Sequence, residues 1–225
     1  MTFTLHFRLF IYLVLGFIFA TVVGTLTHEY GHIVFAKILG YKTELHYSSC
    51  SIYDGPTEIN LKESFSNKTT TYNHDKLILQ YNYEQTLITM SGPIQTMVTG
   101  TFGFLLLWFN RKKIDDRLTL LQWSFVFLTF FWARQIFNFL FATLRFLKTW
   151  KWSGYSDEIF IARHYQWPIW SVTFLTALIA SILLIILTFR FIPKQQRFTF
   201  ISAGLTGSII GFTLWMKVIG PVILP

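Results

Sequence analysis

The sequence has 225 residues, of which 52% are hydrophobic and 19% aromatic, whereas only 13% are charged. Soluble domains carry roughly 25% charged residues. This composition excludes a disordered chain, a coiled coil and nearly all soluble globular domains, and it indicates a multi-span membrane protein. The net charge is +8. Because the basic residues cluster at the ends of apolar runs, we expect them to orient membrane spans and contact lipid headgroups, and we predict no nucleic-acid partner.

Five apolar runs approach or exceed the roughly 20 residues that a helix needs to cross a lipid bilayer. They cover residues 9–39, 86–109, 118–147, 168–192 and 198–219. The sequence therefore predicts an all-α polytopic membrane protein with about five transmembrane helices. The polar segment 41–85 alternates polar and apolar residues in places, which predicts a small β-containing loop after the first helix.

Basic residues in short connections predict the orientation of these spans. They favour a cytoplasmic N-terminus, because positively charged connections remain in the cytoplasm. The small size and the lack of a transit peptide are typical of a bacterial protein, so the predicted location is the bacterial inner (cytoplasmic) membrane.

One short motif in the first apolar run carries chemistry. The residues His28-Glu29-Tyr30-Gly31-His32 form the pattern H-E-x-x-H. On a helix, two histidines four positions apart share one face and can bind one metal ion. Zinc suits imidazole ligands, and a catalytic zinc site uses three protein ligands and a water molecule. Glu29 then lies where it can take a proton from that water.

The third metal ligand must come from another part of the chain. The apolar runs offer no further histidine or acid, but the connection after the third run contains Asp157. By the five-span count, this connection and the His32 end of the first helix lie on the same side of the membrane. We predict Asp157 as the third ligand, with Glu158 as the nearest rival and His164 as a weaker one. A solvated acid or a helix N-cap is the alternative role for Asp157.

Together with Ser91-Gly92-Pro93 in the second run, these residues resemble the site-2 protease family of intramembrane zinc metalloproteases. The resemblance covers about residues 9–168. It implies a metal site of His28, His32 and Asp157 that holds Zn²⁺, and Glu29 as the catalytic general base and then acid. It also implies that the substrate is a membrane protein, cut within a membrane-spanning or membrane-edge segment. The sequence departs from the family at Glu158, where a glycine commonly follows the aspartate.

The resemblance implies one membrane-embedded metalloprotease domain over residues 1–225, with its core at 9–168 and additional helices at 168–219.

Several interpretations of individual features stay open. A catalytically inactive relative that acts as a membrane binding or regulatory protein is the alternative function. The residues Arg134, Gln135 and Asn138 either line the site, where they support the transition-state oxyanion, or form an interhelical hydrogen-bond cluster. We interpret Cys50 as an ordinary thiol, and we expect an extended substrate to pair with a strand edge within 41–59.

Overall fold

The computed structural model describes residues 5–66, 71–111, 117–152 and 156–225, without the side chains of residues 66 and 71–74. Most of the connection at 110–117, on which part of the orientation prediction rests, lies outside the described residues. The elements, in chain order, are α1 (Phe7–Ile38), β1 (Lys42–Leu45), β2 (Cys50–Tyr53), α2 (Pro56–Ser66), α3 (Thr71–Phe109), α4 (Leu120–Thr129), α5 (Ala133–Thr149), α6 (Asp157–His164), α7 (Ser171–Ile186), α8 (Arg197–Leu214) and α9 (Gly220–Ile223). A 3-10 turn joins α4 to α5, and π-helical turns extend α7 and α8.

Four helical stretches of the described chain are long and apolar enough to cross a membrane. They are Phe7–Ile38, Leu120–Thr149, Ser171–Phe191 and Arg197–Ile223. Large apolar side chains on them stay exposed, as at Phe19, Leu175 and Leu205, which is the pattern expected of helices that face lipid. These features support the predicted all-α polytopic membrane protein.

The predicted span at 86–109 is the second half of α3 and is not among these four stretches. Small and polar residues lower its hydropathy, among them Ser91, Gly92, Gln95 and Thr96. The four stretches and the helix at 86–109 match the five predicted runs in position. The number of five membrane crossings stays a prediction.

The polar segment 41–85 contains more helix than its sequence predicts. The predicted β-structure is present as an antiparallel hairpin, in which Lys42 lies opposite Tyr53 and Leu45 lies opposite Cys50. The remainder is helical, because α2 follows the hairpin and α3 begins at Thr71. No glycine or proline interrupts residues 71–85, so nothing there prevents α3 from continuing through them.

Helix α1 lies between α3 and α8. Near its start, the backbone N–H of His6 donates to Thr199 Oγ1 at 3.0 Å, so α8 begins beside the beginning of α1 and runs parallel to it. Helix α3 runs the opposite way, since Ile88 contacts His32 near the end of α1. The two helices approach closely at Gly31, where an added Cβ would lie 2.9 Å from the Ser91 carbonyl oxygen.

An aromatic and aliphatic core fills the end of the bundle where α1 begins. The ring of Phe17 packs edge-on against Phe127 and Phe130, with centroids 5.1 and 4.7 Å apart. Leu13 and Leu107 are fully buried in the same cluster. The polar residues His28, Glu29 and His32 lie near the opposite, C-terminal end of α1, outside this core.

The tip of the hairpin is tied to the end of the chain. The backbone N–H of Tyr47 donates to the Leu224 carbonyl at 3.1 Å. The indole Nε1 of Trp215 donates to the Tyr47 carbonyl at 2.7 Å. The hairpin is therefore held from two sides, by α1 and by the turn that follows α8, at the end of the bundle that contains the H-E-x-x-H residues.

Candidate metal centre

Three side chains with metal-binding atoms meet near the C-terminal end of α1. His28 and His32 lie one helical turn apart, and their Nε2 atoms are 3.3 Å from each other. Asp157 is the first residue of α6, and its Oδ2 lies 2.9 Å from His28 Nε2 and 3.6 Å from His32 Nε2. The two histidines are buried, and Asp157 is half-buried. The structure thus brings together the three residues that the sequence predicts as ligands.

The other ring nitrogens fix where the imidazole protons lie. His32 Nδ1 is 2.7 Å from the Ile88 carbonyl oxygen, which can only accept, so Nδ1 carries the proton. His28 Nδ1 is 2.9 Å from Thr96 Oγ1, and this hydroxyl donates to the Gly92 carbonyl. Thr96 therefore accepts from His28. Both Nε2 atoms are left as lone-pair acceptors that face a carboxylate oxygen.

Three acceptor atoms that face one another repel unless a cation lies between them. Tetrahedral Zn²⁺ with bonds of about 2.0–2.1 Å holds its ligand atoms roughly 3.3 Å apart, and the three distances here are 2.9, 3.3 and 3.6 Å. Gly92 leaves the space open, because a Cβ there would overlap the Nε2 atoms of His32 and His28. The donor set and the space therefore fit zinc.

The two rival ligands point elsewhere. Glu158 is fully buried, and Asn138 Nδ2 donates to both of its carboxylate oxygens at 3.1 Å. Burial raises the pKa of Glu158, and the negative charge of Asp157 raises it further. His164 ends α6, and its ring packs against Tyr165. Asp157 is not an N-cap, because Ser156 occupies that position.

The carboxylate of Glu29 is buried and lies near enough to His32 and Asp157 to interact electrostatically with both. Arg134, in the first turn of α5, places its Nη2 3.9 Å from Glu29 Oε1. The Cys50 thiol of β2 lies near Glu29 and interacts with its carboxylate. Burial raises the pKa of this thiol to about 12, and the charges of Glu29 and Asp157 contribute. The general-base candidate thus has an arginine of α5 and the hairpin as neighbours.

The sequence does not predict several contributors to this site. Cys50 has the pattern of an ordinary thiol, whereas the hairpin brings its side chain near Glu29. No prediction from the sequence includes Thr96 or the Ile88 carbonyl, which orient the imidazoles. A polar residue four positions after Gly92 is a signal that could have indicated Thr96, because it lies on the same helix face. No sequence signal identifies a backbone carbonyl as a partner.

The three polar residues Arg134, Gln135 and Asn138 of α5 have three different surroundings. Arg134 approaches Glu29, and Asn138 holds Glu158. Gln135 is fully buried, and among the described residues neither of its amide atoms has a hydrogen-bond partner. Asn138 therefore makes an interhelical hydrogen bond, as one of the two predicted roles requires, but the three residues do not form a single cluster.

Comparison with known proteins identifies no relative of this chain. Nothing matches in a scan of protein-family models, in a search of curated proteins or in a search of solved structures. The functional interpretation therefore rests on the geometry of the site and on the motif resemblance in the sequence.

Proposed function

We propose that the protein is an intramembrane zinc metalloprotease that hydrolyses peptide bonds in membrane-spanning or membrane-edge segments of other proteins. One observation carries the proposal: the metal-facing atoms of His28, His32 and Asp157 lie within zinc-binding distance of one another, beside the buried carboxylate of Glu29. A protein that only binds a partner needs no such carboxylate. The H-E-x-x-H pattern on one helix is the arrangement expected of zinc peptidases.

Each residue has a defined task in this proposal. When bound, zinc would polarise the scissile carbonyl and would lower the pKa of the zinc-bound water to about 7. Glu29 takes a proton from the attacking water and later delivers it to the leaving amine. Thr96 and the Ile88 carbonyl hold the two imidazoles in the tautomer that presents Nε2. The burial of Glu29 keeps this proton transfer away from bulk water.

The substrate class follows from where the site lies. His28 and Glu29 belong to a helix that is apolar enough to cross a membrane, so the scissile bond must come to membrane depth or to the membrane edge. A helical segment hides its carbonyls in internal hydrogen bonds. The substrate therefore has to unwind and be held in an extended form near Glu29.

Strand β2 is suited to hold such a segment. Its Cys50 contacts Glu29, so the strand passes directly beside the site. The backbone N–H of His46 donates to the Ser49 carbonyl at the turn. From this bond, antiparallel alternation directs the N–H groups of Cys50 and Ile52 away from β1. Within the described residues these groups make no hydrogen bond, so an extended substrate could pair with them.

A proteolysis assay tests the proposal. The purified protein is reconstituted in vesicles with a library of single-span peptides, and products are identified by mass spectrometry. We expect cleavage by the parent that stops in Glu29→Gln and stops with 1,10-phenanthroline until zinc is restored. Glu44→Gln, which changes an exposed acid of β1, is the matched control and keeps full activity.

Two results would contradict the proposal. One is cleavage that continues in Glu29→Gln at the parent's rate. The other is a parent that contains zinc yet cleaves no peptide of the library, which would favour the catalytically inactive binding protein.

A further inference from the structure

A cavity of about 390 Å³ lies between α1, α5 and α8. Seven phenylalanines line it, counted among the described residues, and they include Phe127, Phe131, Phe137 and Phe212. Binding sites for small molecules span roughly 300–1,000 Å³. The cavity is therefore of a size for a small ligand or for a few side chains of a peptide, and its aromatic walls suit apolar groups.

The inner end of the cavity reaches the metal centre. Thr96 and Arg134 both line the cavity. Thr96 also accepts a hydrogen bond from His28, and Arg134 lies 3.9 Å from Glu29. Thr25, another lining residue, is one helical turn before Glu29 on α1. A ligand in the cavity would therefore end beside the general base.

The outer end of the cavity opens on the apolar surface of the bundle. Phe137 and Phe141 of α5 are 41% and 55% exposed, and Phe212 of α8 is 42% exposed. Both helices belong to stretches that are apolar enough to cross a membrane. A membrane segment can reach this opening directly from the hydrocarbon phase.

One donor at the inner end has no partner. Arg134 Nε is buried and makes no hydrogen bond within the described chain. The separation of 3.9 Å between Arg134 and Glu29 is too long for a charge-assisted hydrogen bond. A buried donor without an acceptor is unfavourable, and a carbonyl oxygen placed at the inner end of the cavity would satisfy it.

We propose that this cavity binds bulky apolar side chains of the substrate on one side of the scissile bond, while Arg134 donates a hydrogen bond to a substrate backbone carbonyl. This inference rests on the proposed function and names the selectivity of the same site. Aromatic and branched aliphatic side chains of the substrate fit this cavity. Lysine and arginine are excluded, because Arg134 supplies a positive charge at its inner end.

A binding experiment separates this inference from the metal chemistry. The probes are a fluorescent Leu-Phe peptide amide and the same peptide ending in a hydroxamate, which chelates zinc. In Ser208→Trp the new indole fills the cavity from α8. Ser124→Trp, at an exposed position on α4, is the matched control. We expect Ser208→Trp to weaken both probes by about tenfold to 100-fold, as loss of one or two buried apolar side chains predicts, and Ser124→Trp to change neither.

Substitutions of Arg134 test the inner end. Arg134→Gln should weaken the peptide amide, and Arg134→Lys should restore part of the affinity. Acetohydroxamate, which has the zinc-chelating group but no peptide, should bind all variants equally. If Arg134→Gln weakens acetohydroxamate as much as the peptide, the arginine supports the metal site and does not bind the substrate.

Three results have distinct meanings. If Ser208→Trp leaves both probes unchanged while the hydroxamate still gains affinity from zinc, the cavity is not the substrate site and the inference fails. If zinc adds nothing but Ser208→Trp still weakens the peptide, the cavity binds peptide and the proposed protease function fails. If Ser208→Trp weakens dansyl-undecanoic acid but neither peptide, the occupant is a lipid chain, which also overturns the inference.

Discussion

The two imidazoles of the site differ from ordinary buried histidines in the direction of their protons. Each Nδ1 has an acceptor on α3, so each Nε2 presents a lone pair to the same point. An ordinary core histidine has a donor at one nitrogen and an acceptor at the other. Here the facing groups are another imidazole and a carboxylate, and this combination is what indicates a cation.

Gly92 provides the first prediction at this scale. The variant Gly92→Ala should lower zinc affinity by more than about 100-fold, the upper end of what changes around a ligand set cost, because its Cβ would overlap both Nε2 atoms. Alanine is the better helix former, so loss of metal cannot be ascribed to a weaker helix. Zinc titration in detergent measures the affinity. Gly24→Ala is the control, since its Cβ would lie 3.7 Å from Phe131 in ordinary contact.

Cys50 provides the second prediction. Its thiol pKa is raised to about 12, so the reactive thiolate is scarce at neutral pH. The maleimide labelling rate of metal-free protein should be low at pH 7 and should rise about tenfold with each pH unit beyond pH 9. An ordinary thiol levels off near its pKa of about 8.5.

The control for this measurement is the double variant Cys50→Ser/Ser49→Cys, which moves the thiol to the exposed neighbouring position. Its labelling rate should level off near pH 9. A parent labelling rate that also levels off near pH 9 would show that Cys50 does not lie buried beside Glu29.

At the scale of single residues, the sequence predicts those whose spacing has a local meaning. His28, Glu29 and His32 follow from helical periodicity alone. The sequence predicts Asp157 with Glu158 as its nearest rival, and the structure separates the two acids because both belong to the helix α6, within the connection after the third run. Contacts between separate elements, such as that of Cys50 in β2 with Glu29 in α1, depend on packing that no short pattern encodes.

Among the elements, the start of the hairpin is joined to α2 and α3 by one buried network. Glu84 accepts hydrogen bonds from Tyr41, Thr57 and Gln80, at 2.7, 2.7 and 3.0 Å. All three partners are donors, so both carboxylate oxygens are satisfied. The network holds α2 and the polar half of α3 close to the hairpin. It gives a physical reason why this segment is helical although the sequence predicts mainly loop there.

Removing one donor tests this network. Tyr41→Phe should lower the free energy of unfolding by about 1.5–3 kcal/mol, the range for a hydrogen bond to a charged group. Tyr53→Phe is the control, because Tyr53 is 41% exposed and surface changes stay within about 0.5 kcal/mol. Denaturant unfolding in detergent measures both. Equal stability of the two variants would contradict a structural role for the network.

For the elements in general, the length of an apolar run predicts the position of a helix well, whereas the structure of polar segments is predicted poorly. The runs at 118–147, 168–192 and 198–219 correspond to α4 with α5, to α7 and to α8. By contrast, α2 and the first half of α3 carry few apolar residues. Glu84 connects α2 and α3 to Tyr41, just before the hairpin, by hydrogen bonds, and no local pattern reveals such contacts.

For the whole molecule, the directions of the helices predict how the chain crosses the membrane. Helices α1 and α8 run parallel and α3 runs against them. Helices α4 and α5 run with α1, since Phe127 packs on Phe17 and Arg134 approaches Glu29. If all five apolar stretches cross, the number of crossings is odd and the chain ends lie on opposite sides.

Reporter fusions test this arrangement. A fluorescent protein and alkaline phosphatase are fused in turn to the N-terminus and after Pro225. We expect the N-terminal fusion to report the cytoplasm, as the positively charged connections predict, and the C-terminal fusion to report the opposite side. Two ends on the same side would mean that the helix at 86–109 does not cross.

The metal content of the purified protein tests the central claim most directly. Elemental analysis of detergent-purified protein should find about one zinc per chain, as a single three-ligand site requires. Glu29→Gln and Glu158→Gln should keep this zinc, and Asp157→Ala should lose it. A parent that holds no zinc without chelators present, or an Asp157→Ala variant that holds as much as the parent, would contradict the account of this site.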